Sequence, residues 1–101
     1  MENKLQAHEA ELYKRIDEVL HYLWDPIGVS DQPAARDEYY SYLPQVFQLV
    51  RANAPKEKIM AFLSEITQHE MECGVNLKRD EAVIELLLKW RELIWEKYGA
   101  T

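Results

Sequence analysis

Hydrophobic residues recur every three or four positions in four separate stretches of the chain, which is the spacing of one face of an α-helix. The first two stretches cover about residues 2–23 and 35–52, and the other two cover about residues 55–73 and 78–98. Glycine is scarce and runs of β-branched residues are few, so connections between these stretches are short. The pattern therefore predicts an all-α fold, a small bundle of four helices.

Prolines interrupt the first half of this pattern. In the first helix Leu12, Ile16, Val19 and Leu23 lie on one predicted face, and Pro26 ends that helix because it pushes the preceding residue out of the helical region. Pro44 falls inside the second helix, where it lacks an N–H and crowds the carbonyl one turn back. We therefore expect the second helix to be kinked or split at Pro44.

The fourth helix has an unusually wide apolar face. At about 100° per residue, its apolar side chains cover about 220° of the circumference, roughly twice what one-sided packing needs. Two explanations remain open. The helix lies centrally among the other three, or its shoulder of Ile84, Leu88 and Trp95 forms an interface with another chain. We favour the interface slightly, which predicts a contact with a partner or with a second copy of the chain in a homodimer.

Composition indicates one globular domain, residues 1–101, with 48% hydrophobic and 30% charged residues. A single cysteine, Cys73, excludes an internal disulfide and favours a reducing compartment. No stretch approaches the roughly 18 continuous apolar residues of a membrane helix, and no signal-peptide core begins the chain. We therefore expect a cytoplasmic protein that does not contact a membrane.

Charge is distributed unevenly along the chain. The net charge is −6, and residues 17–38 carry six acids against one base, Arg36. A negative protein is a poor ligand for phosphate backbones, which disfavours nucleic acid as a partner. The acidic segment is either a solvated face or a surface for a basic protein. Because tyrosines beside carboxylates are common at interfaces, we predict a partner-binding surface. Its residues would be Asp25, Asp37, Glu38, Tyr40 and Tyr42.

No motif predicts catalysis or a cofactor. The chain has no Gly-x-Ser-x-Gly elbow, no glycine-rich phosphate loop and no dinucleotide fingerprint. Asp25, Asp37 and Glu38 could converge on Mg²⁺ or Ca²⁺, and His69 and Cys73 could hold part of a zinc site. Neither set has complete ligand spacing. A loop cap at Asp25, helix-start acids and a surface histidine are therefore the favoured interpretations, and we predict no metal.

Residues 24–29 and 37–46 resemble a family of small, uncharacterised bacterial proteins that have a WDPIG loop followed by a DEYDxYxPxV helix start. The resemblance covers about residues 20–74 and departs at Tyr40, where the family pattern has an acid. It implies a helical fold and a cytoplasmic bacterial context, and it adds no mechanism. It also implies that the loop after the first helix is clamped against the start of the second. The residues concerned are Trp24, Asp25, Pro26, Gly28, Asp37, Glu38, Tyr39, Tyr42 and Pro44.

Three functions remain open from the sequence. The favoured one is a non-enzymatic interaction module, for example an immunity-type inhibitor of a basic toxin, because opposite charge speeds association and orients docking. The second is a structural or regulatory homo-oligomer formed through the fourth helix. The third is a small metal-dependent protein or enzyme that uses Asp25, Asp37 and Glu38.

Overall fold

The chain folds into a bundle of four α-helices, which confirms the predicted fold class. The computed structural model describes residues 5–71 and 74–100, and every regular element in these ranges is helical. None of these helices has the length and apolar character that crossing a membrane requires. In chain order the helices are α1 (Ala7–Val19), α2 (Leu43–Arg51), α3 (Lys56–Glu65) and α4 (Leu77–Tyr98).

α1 ends in a π-helical turn that changes which residues face the core. The turn covers Leu20–Trp24, and a second π-helical turn, Ile66–Glu70, follows α3. A continued α-helix would place Leu23 on the buried face of α1. The wider turn instead leaves Leu23 54% exposed and buries Trp24 completely. The loop after α1 therefore starts from a tryptophan fixed in the core.

The second helix begins later than the sequence predicts. A 3₁₀ turn, Pro33–Ala35, and successive turns over residues 36–42 precede α2. α2 begins at Leu43, so Pro44 lies in its first turn, where a missing N–H breaks no helical hydrogen bond. The carbonyl of Tyr40 instead accepts from the N–H of Leu43 at 3.2 Å. Pro44 thus splits the stretch, and the prediction of α-helix from residue 35 is wrong.

α1 and α4 pack antiparallel and form the centre of the bundle. The indole N–H of Trp24 donates to Asp80 at one end, and the hydroxyl of Tyr98 donates to Glu11 at the other. α2 covers a second side of α1, where the rings of Tyr13 and Phe47 are 5.0 Å apart. Aliphatic side chains from all four helices fill the core between them. Those with no exposed surface include Leu12, Ile16, Val46, Val50, Ile59, Leu63, Ile84 and Leu87.

The central position of α4 explains its wide apolar face. Ile84 is fully buried and Trp95 is 8% exposed. The ring of His8 meets Trp95 edge-on at 4.5 Å, and the Arg91 guanidinium lies 4.5 Å from the Trp95 ring centroid. Within the shoulder that we predicted as an interface, only Leu88 keeps partial exposure. That apolar surface is covered within the chain itself, so the first of the two explanations holds.

Candidate functional site

Asp25 organises the loop that follows α1. Its backbone is left-handed, with φ 34° and ψ 59°, a region that Asp enters more readily than most residues. Its carboxylate accepts hydrogen bonds from the N–H groups of Val29 at 2.8 Å and Ser30 at 3.0 Å. The Tyr39 hydroxyl donates to the same carboxylate at 2.7 Å and accepts from the N–H of Ile27 at 3.3 Å. The loop is thus clamped to the segment before α2, as the resemblance implies.

These hydrogen bonds determine the charge state of the two side chains. Burial alone raises the pKa of the Asp25 carboxyl, but the bonds from Tyr39, Val29 and Ser30 together outweigh it and lower that pKa. Burial is also the main cause of the raised pKa of Tyr39, and the hydrogen bond to Asp25 adds to it. Asp25 is therefore an ionised anchor whose oxygens already bind groups of the same chain. Asp25 therefore holds the loop beneath the predicted partner surface, and its carboxylate is not free to bind a partner.

Trp24 and Asp80 fix this loop to the core. The indole N–H of Trp24 donates to Oδ1 of Asp80 at 3.1 Å, and the ring lies 5.4 Å from the Tyr39 ring. Asp80 is fully buried, and the Arg79 guanidinium donates to the same oxygen at 3.2 Å. These donors satisfy Oδ1 of Asp80, whereas its buried Oδ2 has no partner among the described residues. The loop is therefore hydrogen-bonded to α4 through Trp24.

An arginine and two exposed tyrosines lie on the outer side of the loop. Arg36 donates to both carboxylate oxygens of Asp17, at 2.9 and 3.1 Å, and lies 5.4 Å from the Tyr22 ring centroid. The Asp17 bonds are the main cause of the raised pKa of Arg36, and the nearby phenols of Tyr40 and Tyr22 add to it. Tyr22 and Tyr40 are 55% and 48% exposed. The exposed Tyr22 ring therefore lies beside an arginine that Asp17 neutralises.

Half of the acids in the acidic segment are available to a partner. Three of the six bind groups within the chain, namely Asp17, Glu18 and Asp25. The other three are exposed and form no ion pair or side-chain hydrogen bond within the described ranges, namely Asp31, Asp37 and Glu38. We define the tyrosine–acid surface as these three acids, the exposed Tyr22 and Tyr40, and the half-buried Arg36. Its residues are Tyr22, Asp31, Arg36, Asp37, Glu38 and Tyr40.

Part of the predicted partner site lies on this surface. Asp37, Glu38 and Tyr40 are exposed there, whereas Tyr42 is half-buried and packs against the core. Tyr22 and Arg36 were not among the residues predicted for the site. Tyr22 lies outside the apolar stripe predicted for the first helix, and it is exposed on the π-helical turn Leu20–Trp24.

The residues proposed for a metal do not form a metal site. Among the described residues, no group of three or more His, Cys, Asp and Glu side chains is placed to hold an ion. Asp25 is engaged by its three donors, so it is not available to bind an ion with Asp37 and Glu38. His69 is exposed, and Cys73 lies outside the described residues.

A shallow groove runs along α4 on another side of the molecule. Its volume is about 610 Å³, and charged residues line it beside Leu88, among them Glu85, Lys89 and Glu92. Leu88 and Trp95, two residues of the shoulder predicted from the sequence, line the groove together with these charged residues. A homodimer that uses α4 stays a prediction.

No family model matches the chain, and searches of curated proteins and of solved structures likewise give no match. Function is therefore inferred from the geometry of the loop and of the surface around it.

Proposed function

We propose that this protein is a non-enzymatic interaction module that binds a basic protein partner through the tyrosine–acid surface. The observation that carries the proposal is the exposure of Tyr22 and Tyr40 beside two buried aromatics, Trp24 and Tyr39. Exposed tyrosines supply large contact area at little cost in side-chain entropy and dominate many binding interfaces. The Tyr22 ring lies 5.4 Å from the Arg36 guanidinium, and Tyr40 follows Arg36 by four residues in the turns before α2.

Charge favours a basic partner. Asp31, Asp37 and Glu38 are exposed and form no ion pair with any residue that the structure describes, and the neighbouring Arg36 is neutralised by Asp17. The net charge of the chain is −6, so the long-range field has the same sign. Opposite charge on a partner raises the association rate and orients docking. An immunity-type inhibitor of a basic toxin is the specific form that we propose, because opposite charge speeds association and orients docking.

The surface is held in place before a partner arrives. Asp25 closes the loop, Tyr39 ties it to the segment before α2, and Trp24 ties it to α4. An ordered surface loses little conformational entropy on binding, which raises affinity at a given contact area. This anchoring is the role that we assign to the WDPIG loop.

Affinity capture with two charge-reversal variants tests the proposal. The test variant is Asp37→Lys/Glu38→Lys, and the control is Glu92→Lys/Glu96→Lys. The control makes the same charge change in the last turns of α4, where Lys97 contacts Glu11 of α1. We expect wild type and control to retain one basic protein from source cells, and the test variant to lose it. Equal capture by all three proteins, or capture of no basic protein, contradicts the proposal.

A further inference from the structure

A small crevice opens within the tyrosine–acid surface. It lies between the end of α1 and residues 30–36 and has a volume of about 290 Å³. Sites for drug-sized ligands occupy roughly 300–1,000 Å³, so this crevice suits one side chain better than a free small molecule. Its walls are formed by His21, Tyr22, Ser30, Asp31, Pro33 and Arg36.

The charges around the crevice favour a cation. Arg36 is the only arginine or lysine in its lining, and both of its contacts with Asp17 are short, at 2.9 and 3.1 Å. A bidentate pair of this kind neutralises the guanidinium. Asp31 then remains as a lining carboxylate without an ion-pair partner among the described residues. An anion entering the crevice would meet Asp31 with no free positive charge to offset it.

One wall also carries a hydrogen-bonding group that no other described residue engages. His21 is 3% exposed and lines the crevice, and its buried Nδ1 has no hydrogen-bond partner in residues 5–71 and 74–100. A buried polar atom without a partner is uncommon in native proteins and calls for a specific explanation. Tyr22 and Pro33 provide apolar walls against which the methylene stem of a long cationic side chain packs. The combination of an acid, an aromatic wall and an unused imidazole nitrogen is suited to a guanidinium, which has five N–H donors.

We infer that the crevice is a socket for one cationic side chain of the partner, with arginine preferred over lysine. This inference rests on the proposed function, since it names the chemical group that the tyrosine–acid surface recognises. Arginine is preferred because its planar fork reaches several acceptors at once and stacks on aromatic rings, whereas an ammonium group is a compact point charge.

Titration with capped amino acids, followed by NMR, tests the socket directly. The probes are the N-acetyl, N′-methylamide derivatives of arginine, lysine and citrulline, used as matched chloride solutions. We expect the arginine derivative to shift the Tyr22 ring and Ser30 amide signals, the lysine derivative to do so more weakly, and the neutral citrulline derivative not to. Absence of shifts with arginine, or equal shifts with citrulline, overturns the inference.

Two isosteric variants sharpen the test. Asp31→Asn removes the carboxylate of the crevice, and Asp37→Asn makes the same charge change on the same surface outside it. We expect Asp31→Asn to weaken arginine binding about fivefold and Asp37→Asn to leave it nearly unchanged. Both acids are exposed, so melting curves should match wild type and exclude misfolding as the cause. Equal weakening by the two variants would show that arginine responds only to overall charge and would overturn the socket.

The captured partner separates failure of the socket from failure of the proposed function. If Asp31→Asn leaves partner binding intact while Asp37→Lys/Glu38→Lys abolishes it, the socket is wrong and the interaction surface stands. If neither change affects the partner, the proposed function is wrong as well. If both variants bind the partner more weakly, and a double-mutant cycle shows that Asp31 is coupled to a single arginine of the partner, the socket and the proposed function both hold.

Discussion

Replacement of Asp25 tests how the loop is held. Its carboxylate accepts from three donors, the N–H groups of Val29 and Ser30 and the hydroxyl of Tyr39. Its backbone has a φ of 34°, which alanine adopts at a cost and glycine adopts freely. Alanine, glycine and asparagine at this position therefore differ in how many of the carboxylate hydrogen bonds they remove and in how well they tolerate the left-handed backbone.

The expected costs follow from the geometry. We assign about 1 kcal/mol to each of the three hydrogen bonds, because the site is only half-buried. Asp25→Gly then costs about 3 kcal/mol, and Asp25→Ala about 4 kcal/mol because of the left-handed backbone. Asn tolerates that backbone and keeps Oδ1, which accepts from Val29 and Tyr39, so Asp25→Asn costs about 1–2 kcal/mol. A domain of this size is stable by about 5–15 kcal/mol, so each variant still folds.

Urea unfolding followed by far-UV circular dichroism measures these differences. Linear extrapolation gives the free energy of unfolding for each variant, and an unchanged slope shows that all unfold from the same kind of state. The order of loss should be Asn, then Gly, then Ala. A cost for Asp25→Ala no larger than that for Asp25→Asn would refute the view that this carboxylate anchors the loop.

Three further predictions concern the same anchor. The folded-state pKa of Asp25 is lowered, so its contribution to stability should be complete above about pH 4 and lost as pH falls further. When the free energy of unfolding is measured at a series of acidic pH values, it should decrease less steeply for Asp25→Asn than for wild type. The folded-state pKa of Tyr39 is raised, so the free energy of unfolding should fall as pH rises past about 10, and Tyr39→Phe should reduce that alkaline loss. At neutral pH, urea unfolding of Tyr39→Phe should show a loss of about 1–2 kcal/mol. Trp24→Phe removes a donor to buried Asp80 and leaves unfilled volume, so urea unfolding should show a loss of about 2–3 kcal/mol, and a loss below about 1 kcal/mol would contradict the network.

Most of the helical architecture could be predicted from the sequence because it is encoded locally. The 3.6-residue period marks each buried face, and a glycine follows the last helix. Gly99 indeed ends α4 with φ 66°, and the N–H of Ala100 reaches the carbonyl of Trp95. The effect of Pro44 on the second helix was predicted only in part. Pro44 splits the second stretch, but the residues before it form turns instead of α-helix.

Features that depend on long-range contacts could not be predicted in the same way. The apolar shoulder of α4 has the pattern of an interface, yet His8 and Arg91 from distant and neighbouring positions cover Trp95. Periodicity measures the width of an apolar face and does not show what covers it. The π-helical turn that exposes Leu23 and buries Trp24 is likewise invisible to a 3.6-residue pattern.

The candidate site was predicted from the acidic residues in the sequence, and ion pairs in the fold determine which of these acids remain free. Of the residues predicted for the partner site, Asp37, Glu38 and Tyr40 are exposed, whereas Asp25 and Tyr42 are half-buried. Pairing of Asp17 with Arg36 spans 19 positions along the chain, so only the fold shows which acids remain free. The same fold turns Asp25 inward as an anchor and brings Tyr22 onto the surface.

The affinity of the captured partner for a double tyrosine variant tests the central claim most directly. The test variant is Tyr22→Ala/Tyr40→Ala, and the control is Leu93→Ala/Tyr98→Ala, which removes side chains of similar exposure, 46% and 43%, elsewhere on the molecule. Calorimetric titration should show at least about 30-fold weaker binding for the test variant, the effect of losing about 2 kcal/mol, and nearly unchanged binding for the control. Equal affinity of the two variants would contradict the tyrosine–acid surface as the binding site.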